Sequence, residues 1–193
     1  MPKRVDHEQR RREFAAALVR CARERGLHAT GFREVAAEAG VSLNLVQYYF
    51  PTKEALLRGG LVYVRERITE RLRERLDALP GDPERRVRAI LAELLPNDEA
   101  STDLYCVHAA YAALALTDPL LAAQPHAAGP DELHPLLTEL LAAAGLAEAR
   151  LVATNLLALA TGLSAYVVSG YHSIETARAA LTAQLDLVFG QSS

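Results

Sequence analysis

Residues 26–57 read GLHATGFREVAAEAGVSLNLVQYYFPTKEALL. Phe32, Val35, Ala36 and Ala39 recur at i, i+3, i+4 and i+7, one face of an α-helix. Gly40 follows where a helix C-terminus favours a residue that accepts positive φ, and Val41 supplies an apolar contact just past the turn. Ser42 is a good N-cap for a second helical pattern, from Leu43 to Phe50, with Val46, Tyr49 and Phe50 able to pack inward. Two short helices joined through a glycine have the sequence form of a helix-turn-helix. The spacing suits a steep crossing: small Ala36 where backbones approach, Gly40 where the chain reverses, branched Val46 to lock the second helix.

Around this stretch the 193-residue chain reads as all-α. Half of it is apolar, ample for a packed core, and Leu and Ala dominate while Trp is absent. The net charge of −3 hides an asymmetry. Residues 1–60 carry 11 Lys/Arg against 7 Asp/Glu, whereas residues 61–193 carry 10 against 17. A basic N-terminal part on an acidic remainder suits a nucleic-acid-binding domain joined to one that avoids nucleic acid. The run Arg10-Arg11-Arg12 reads either as a solvated face or as a contact with DNA backbone. Cys21 and Cys106 both fall in apolar helical patterns, so neither a disulfide framework nor export is expected. Residues 1–13 are charged and form no signal peptide, and a cytoplasmic location without membrane attachment is expected. The longest apolar stretch, residues 151–170, is broken by Thr154, Asn155, Thr161 and Ser164 and reads as a buried core helix.

About nine helices are expected in chain order. Residues 1–6 should fray, and the first helix spans about 7–25; the second and third span about 32–39 and 43–49. Pro51 ends the third, and Thr52 caps a long fourth helix reaching about Leu79, with Glu54 at its positive end. That helix changes from apolar to charged along its length, as a connecting helix would. The fifth spans about 84–95, and the sixth about 101–117 with Ser101 or Thr102 as its cap. A loop around 121–130 carries Pro125, Gly129 and Pro130. The seventh, eighth and ninth span about 131–144, 147–169 and 173–189.

Thr30, Val35-Ala36, Ala39-Gly40-Val41-Ser42, Tyr48, Phe50, Lys53-Glu54 and Leu56-Leu57 together resemble the DNA-binding domain of the TetR/AcrR family of bacterial transcriptional regulators. The resemblance covers about residues 10–60. The chain departs from the family pattern at Gly31, where Thr or Ser is frequent, and at Gln47-Tyr48-Tyr49. The resemblance implies a three-helix DNA-binding domain over residues 1–51. A ligand-binding and dimerisation domain over 52–193 follows, with the fourth helix connecting. It implies a homodimeric, ligand-released repressor on a palindromic operator. The implied contacts with double-stranded DNA are Thr30, Arg33, Ser42, Leu43, Asn44, Gln47, Tyr48, Tyr49 and Lys53. Asn44 suits adenine N6/N7, Leu43 suits a thymine methyl, and Lys53 suits a phosphate. One tyrosine of Tyr48-Tyr49 is expected to point inward, with Tyr48 outward.

The eighth and ninth helices are the candidate dimer interface, being long, C-terminal and apolar over much of their circumference. The C-terminal part is also loosely similar to the BetI-like branch, through an alanine-rich sixth helix, Gly162-Leu163 and an apolar ninth helix. A pocket for a small apolar or weakly polar effector is implied. Tyr105, His108 and Tyr111 share one face of the sixth helix at i, i+3 spacing, and Asn155 and Tyr166 on the eighth are candidates to meet them. Two other classes stand beside this reading. One is an architectural DNA-binding protein with no ligand. The other is an all-helical enzyme using His108 and Cys106, neighbours two apart that face different ways. No phosphate loop, metal-ligand spacing or nucleophile elbow is present, and no metal or cofactor is expected.

Overall fold

The computed structural model describes residues 2–123 and 133–190, the side chains of 2–6, 120 and 121 excepted. Most of the proline- and glycine-bearing loop expected at 121–130 lies outside them. Every regular element among the described residues is helical: α1 (Pro2–Arg25), α2 (Phe32–Glu38), α3 (Leu43–Tyr49), α4 (Lys53–Asp77), α5 (Pro83–Glu93), α6 (Glu99–Ala115), α7 (Leu133–Ala143), α8 (Ala149–Val168) and α9 (Ile174–Gly190). Two one-turn helices, Leu27–Ala29 and Pro119–Ala122, stand between them. Residues 2–6, expected to fray, continue α1, which starts on a proline whose missing N–H costs a first turn nothing.

The chain forms two compact units. The first comprises residues 1–68 and 103–129, the second 69–102 and 130–193. α4 and α6 each run through both.

In the first unit, Phe14 and Leu18 of α1, Val35 and Ala36 of α2, Val46 of α3, and Leu56, Leu61 and Val64 of α4 form one core with Leu104, Val107 and Tyr111 of α6. Tyr111 is fully buried, and its hydroxyl donates to the Leu57 carbonyl at 2.7 Å, joining α6 to the first turns of α4. Burial away from water pushes this phenol strongly upward, so it stays a neutral donor. Gly60 makes the approach possible, because a Cβ there would overlap both Leu18 and the Tyr111 hydroxyl. Cys21 donates its thiol to the Glu34 carbonyl between α1 and α2, and burial raises its pKa. Both cysteines are free.

In the second unit, Val87, Ile90 and Leu91 of α5 meet Leu137 and Leu141 of α7, Ala153, Leu156 and Ala160 of α8, and Ala177, Leu181 and Leu185 of α9. Ser164 donates to the carbonyls of Ala160 and Leu94, so its buried hydroxyl is satisfied. α6 starts earlier than Ser101 or Thr102 would have it. Asp98 is the cap: its carboxylate accepts the Ser101 N–H at 2.7 Å while the Asp98 N–H donates to the Ser101 hydroxyl at 3.0 Å. The reciprocal pair is a capping box in which Ser101 fills the place usually taken by Glu or Gln. The Ser101 N–H, and then the guanidinium of Arg71 at 2.8 Å, push the Asp98 carboxyl down to about 2. Arg71 also pairs with Glu93 at 2.6 Å.

α8 is not the wholly buried helix that its composition suggested. Ala153, Leu156, Leu157, Ala160 and Leu163 are buried, but Leu151, Asn155, Ala158, Gly162, Ala165 and Tyr166 are exposed. Its apolar residues run around the whole circumference, and this chain covers one side. Among the described residues it is the one helix long and apolar enough to cross a membrane.

Gly60→Ala should destabilise the protein by about 1–3 kcal/mol, the usual cost of overpacking, despite the better helix propensity of Ala. Urea unfolding measures it. A variant as stable as the parent would contradict the close approach of α4, α1 and Tyr111.

Candidate nucleic-acid interface

The turn between α2 and α3 closes as the glycine spacing predicts. Gly40 takes φ of 65°, the Val41 N–H reaches the Ala36 carbonyl at 2.9 Å, and the Gly40 N–H reaches Ala37 at 3.2 Å. These two bonds make a Schellman motif that ends α2 and redirects the chain. Ser42 then caps α3, its hydroxyl accepting the Leu45 N–H at 3.3 Å. At the start of α2, Gly31 supplies no hydroxyl, but Glu34 reaches back to the Gly31 N–H at 3.0 Å. Half of a capping box therefore forms despite the glycine.

α3 buries Val46, and Phe50 just beyond it is buried too. Asn44 and Gln47 are exposed, Tyr48 is 72% exposed, and Leu43 is half-buried. Positions 43, 44, 47 and 48 share one side of the helix, so this side is a compact polar and aromatic surface. Tyr49 turns inward: its ring meets Phe14 at 5.3 Å and stands edge-on to Tyr48 at 5.3 Å. Arg33 on α2 is exposed. Lys53 is exposed at the first turn of α4, beside its cap Thr52, whose hydroxyl accepts the Ala55 N–H at 3.1 Å. The backbone N–H and the Thr52 hydroxyl around Glu54 lower that carboxyl's pKa and keep it ionised at the positive helix end. Thr30 stands apart from the open face. It is 1% exposed, and its hydroxyl donates to the Gly26 carbonyl at 2.9 Å, tying the α1–α2 connection.

The arginine run on α1 is engaged within this unit. Arg10 pairs with Glu13 and Arg12 with Glu66. Arg11 donates to the Tyr49 carbonyl at 2.6 Å and lies over the Phe50 ring at 4.4 Å. A guanidinium there satisfies an end carbonyl of α3 and complements the negative end of its dipole. The sequence did not point to this role, because 38 residues separate the partners.

Of the effector candidates, Tyr105 and His108 are half-buried on α6 in the first unit, and burial raises the Tyr105 phenol. Tyr111 belongs to the core of the same unit. Asn155 and Tyr166 lie on the exposed side of α8 in the second unit. No cluster of metal-ligating side chains occurs among the described residues.

A glycine turn, a capped seven-residue helix and an open polar face define a helix-turn-helix DNA-binding protein of all-helical build. Residues 15–59 match the family described as bacterial regulatory proteins, tetR family, and residues 83–190 match the BetI-type transcriptional repressor C-terminal domain. The chain belongs to the TetR family of transcriptional regulators, in its BetI-type branch, and it is a DNA-binding transcriptional regulator rather than an enzyme. It is 32% identical to the regulator BetI of Burkholderia cenocepacia (strain HI2424) over 164 residues, 84% of each chain. It is 39% identical to the regulator PksA of Bacillus subtilis (strain 168) over 101 residues, 51% of this chain and about half (48%) of that relative. A solved transcriptional regulator from Rhodococcus sp. Rha1 shares the fold at a TM-score of 0.85 with 33% identity, covering 94% of this chain and 97% of that one. A regulator from Saccharomonospora viridis, solved in complex with choline, shares the fold at 0.80 with 21% identity, covering 93% and 96%.

Arg11→Ala should cost about 1–2 kcal/mol, since it removes a charged donor from a carbonyl and a cation from an aromatic face at a half-exposed site. Arg10→Ala, which breaks only an exposed pair, should cost under about 1 kcal/mol. Urea midpoints of the two variants compare them, and equal losses would contradict the role given to Arg11.

Proposed function

We propose that this regulator is a homodimeric repressor that reads a palindromic operator through α3 and leaves it when a small molecule binds. The observation that carries the reading is the exposed face of α3 with cations on its flanks. Leu43 and Asn44 enter the major groove first, Asn44 pairing with adenine and Leu43 touching a thymine methyl. Ser42, Gln47 and Tyr48 meet the sugar-phosphate backbone, with Tyr49 behind them. Lys53 and the first N–H groups of α4 hold a phosphate. Arg33 reaches a base edge from α2, and Thr30 holds the approach to that helix.

One α3 reads only a few base pairs, so two are needed about 34–36 Å apart. The exposed faces of α8 and α9 support the dimer. Leu151, Asn155, Ala158, Gly162 and Ala165 recur at alternating spacings of four and three along α8, and Ala180, Ala183 and Leu187 do so along α9. Leu151 and Leu187 are each 60% exposed. Small residues at this period let helices from two subunits approach closely, as in a four-helix bundle. Asn155 and Tyr166 belong to this contact rather than to an effector site.

Residues 1–51, joined by Lys53 at the start of the connecting helix, carry the DNA contacts, and the rest of 52–193 carries the dimer and effector functions. Tyr105 and His108 line the effector side of α6, with Tyr111 joining that helix to α4. The effector is a small apolar or weakly polar molecule; choline, a quaternary ammonium cation held by a protein of the same fold, is the charged alternative to try against it. Repression follows from occupying DNA that polymerase needs, in the cytoplasm.

Binding measured by fluorescence anisotropy tests the interface. Asn44→Ala should lose about 1–3 kcal/mol of discrimination between operator and random DNA. Lys53→Ala should weaken both equally and reduce the salt slope by about two units, one from each protomer. Equal losses on both DNAs for Asn44→Ala would contradict the base contact. Choline added to the bound complex tests that effector, and unchanged anisotropy at saturating concentrations would remove it.

A further inference from the structure

The recognition helix is uncharged: Leu43–Tyr49 reads LNLVQYY. Affinity for duplex DNA grows with each phosphate that a protein neutralises, so the cations must come from neighbouring elements. Lys53 on α4 and Arg33 on α2 serve two sides. On α1, the imidazole of His7 lies 4.5 Å from the Tyr49 ring and 6.4 Å from the Tyr48 ring, centroid to centroid. It is tilted to Tyr49 and edge-on to Tyr48. His7 is half-buried, so part of the ring stays in solvent beside the exposed Tyr48.

We propose that His7 is a further DNA-contact residue, an imidazolium beside Tyr48 that meets the backbone phosphate next to the bases α3 reads, so that operator binding tightens as pH falls. The inference rests on the interface proposed above. Histidine is the side chain whose charge changes between about pH 5 and 8. The aromatic rings that meet it belong to α3. α3 brings Tyr48 and Tyr49 and no carboxylate or cation. On α1 its charged neighbours in sequence are Lys3 and Arg4 one turn before it, Asp6 and Glu8 beside it, and Arg10 and Arg11 one turn after it. Arg10 is paired with Glu13, and Arg11 is held at the Tyr49 carbonyl. A phosphate favours the protonated ring in the complex. The contribution is therefore present at low pH and is lost as pH rises.

The packing of His7 on Tyr49 would exist without any DNA role, so the test uses His7→Phe, which keeps an aromatic ring and removes the charge. Operator affinity is measured from about pH 5.5 to 8.5 at fixed salt for the parent, His7→Phe, His7→Lys and Lys53→Ala. The parent should tighten about three- to tenfold per protomer relative to His7→Phe on going from pH 8 to pH 6, since an imidazole that meets a phosphate takes up a proton as pH falls. His7→Lys should bind tightly across the range. At pH 6 His7→Phe should show a salt slope smaller by up to about two units, one from each protomer. A parent-like pH profile and salt slope in His7→Phe overturns the proposal. If Lys53→Ala still weakens binding at every pH, the interface stands and only the role of His7 falls. If neither variant weakens binding, both fall.

Discussion

A seven-residue helix has no intrinsic reason to stay folded, because nucleation costs more than so few hydrogen bonds return. α3 is such a helix, and the interface depends on the contacts that hold it. Its start is fixed by the Schellman turn at Gly40 and the cap at Ser42. Its middle is fixed by Val46, which is fully buried. Its end is fixed by Arg11, whose guanidinium takes the Tyr49 carbonyl and covers Phe50. None of these contacts uses the outward residues Asn44, Gln47 and Tyr48, which leaves that surface open to DNA.

The same economy links α3 to the rest of its unit. Phe50 is buried against α4 where Gly59 leaves room for its ring, and Gly60 one residue on leaves room for Leu18 and Tyr111. The Tyr111 hydroxyl then joins α6 to α4 through the Leu57 carbonyl. In the second unit the two helices meet again, as Arg71 of α4 holds Asp98, the cap of α6. α6 thus meets α4 through a buried hydrogen bond in the first unit and a charged one in the second.

The local parts of this architecture were legible in the sequence. Gly40, Ser42, Pro51 and Thr52 set boundaries through their own backbone chemistry, and the bounds of α2 and α3 follow from them almost to the residue. The cap of α6 was misplaced because Ser101 and Asp98 are both good caps, and only the reciprocal hydrogen bonds decide between them. α8 was read as buried because composition reports how apolar a helix is and not how many of its sides have neighbours. In the candidate site, the inward residues of α3 followed from periodicity and the outward set from the resemblance to the family. Arg11 and His7 did not, because each acts on α3 from a helix far off in sequence. Thr30 and Tyr111 show the reverse case: positions singled out for binding, whose hydroxyls are spent on the carbonyls of Gly26 and Leu57.

The central claim is that two copies of this open face act together on DNA. Selection of bound sequences from a random duplex pool tests it most directly, because the half-site and its spacing emerge together. The account predicts an inverted repeat whose half-sites are centred about one helical turn, or a small multiple of it, apart. Enrichment of a single unrepeated half-site, or of no sequence at all, would contradict it.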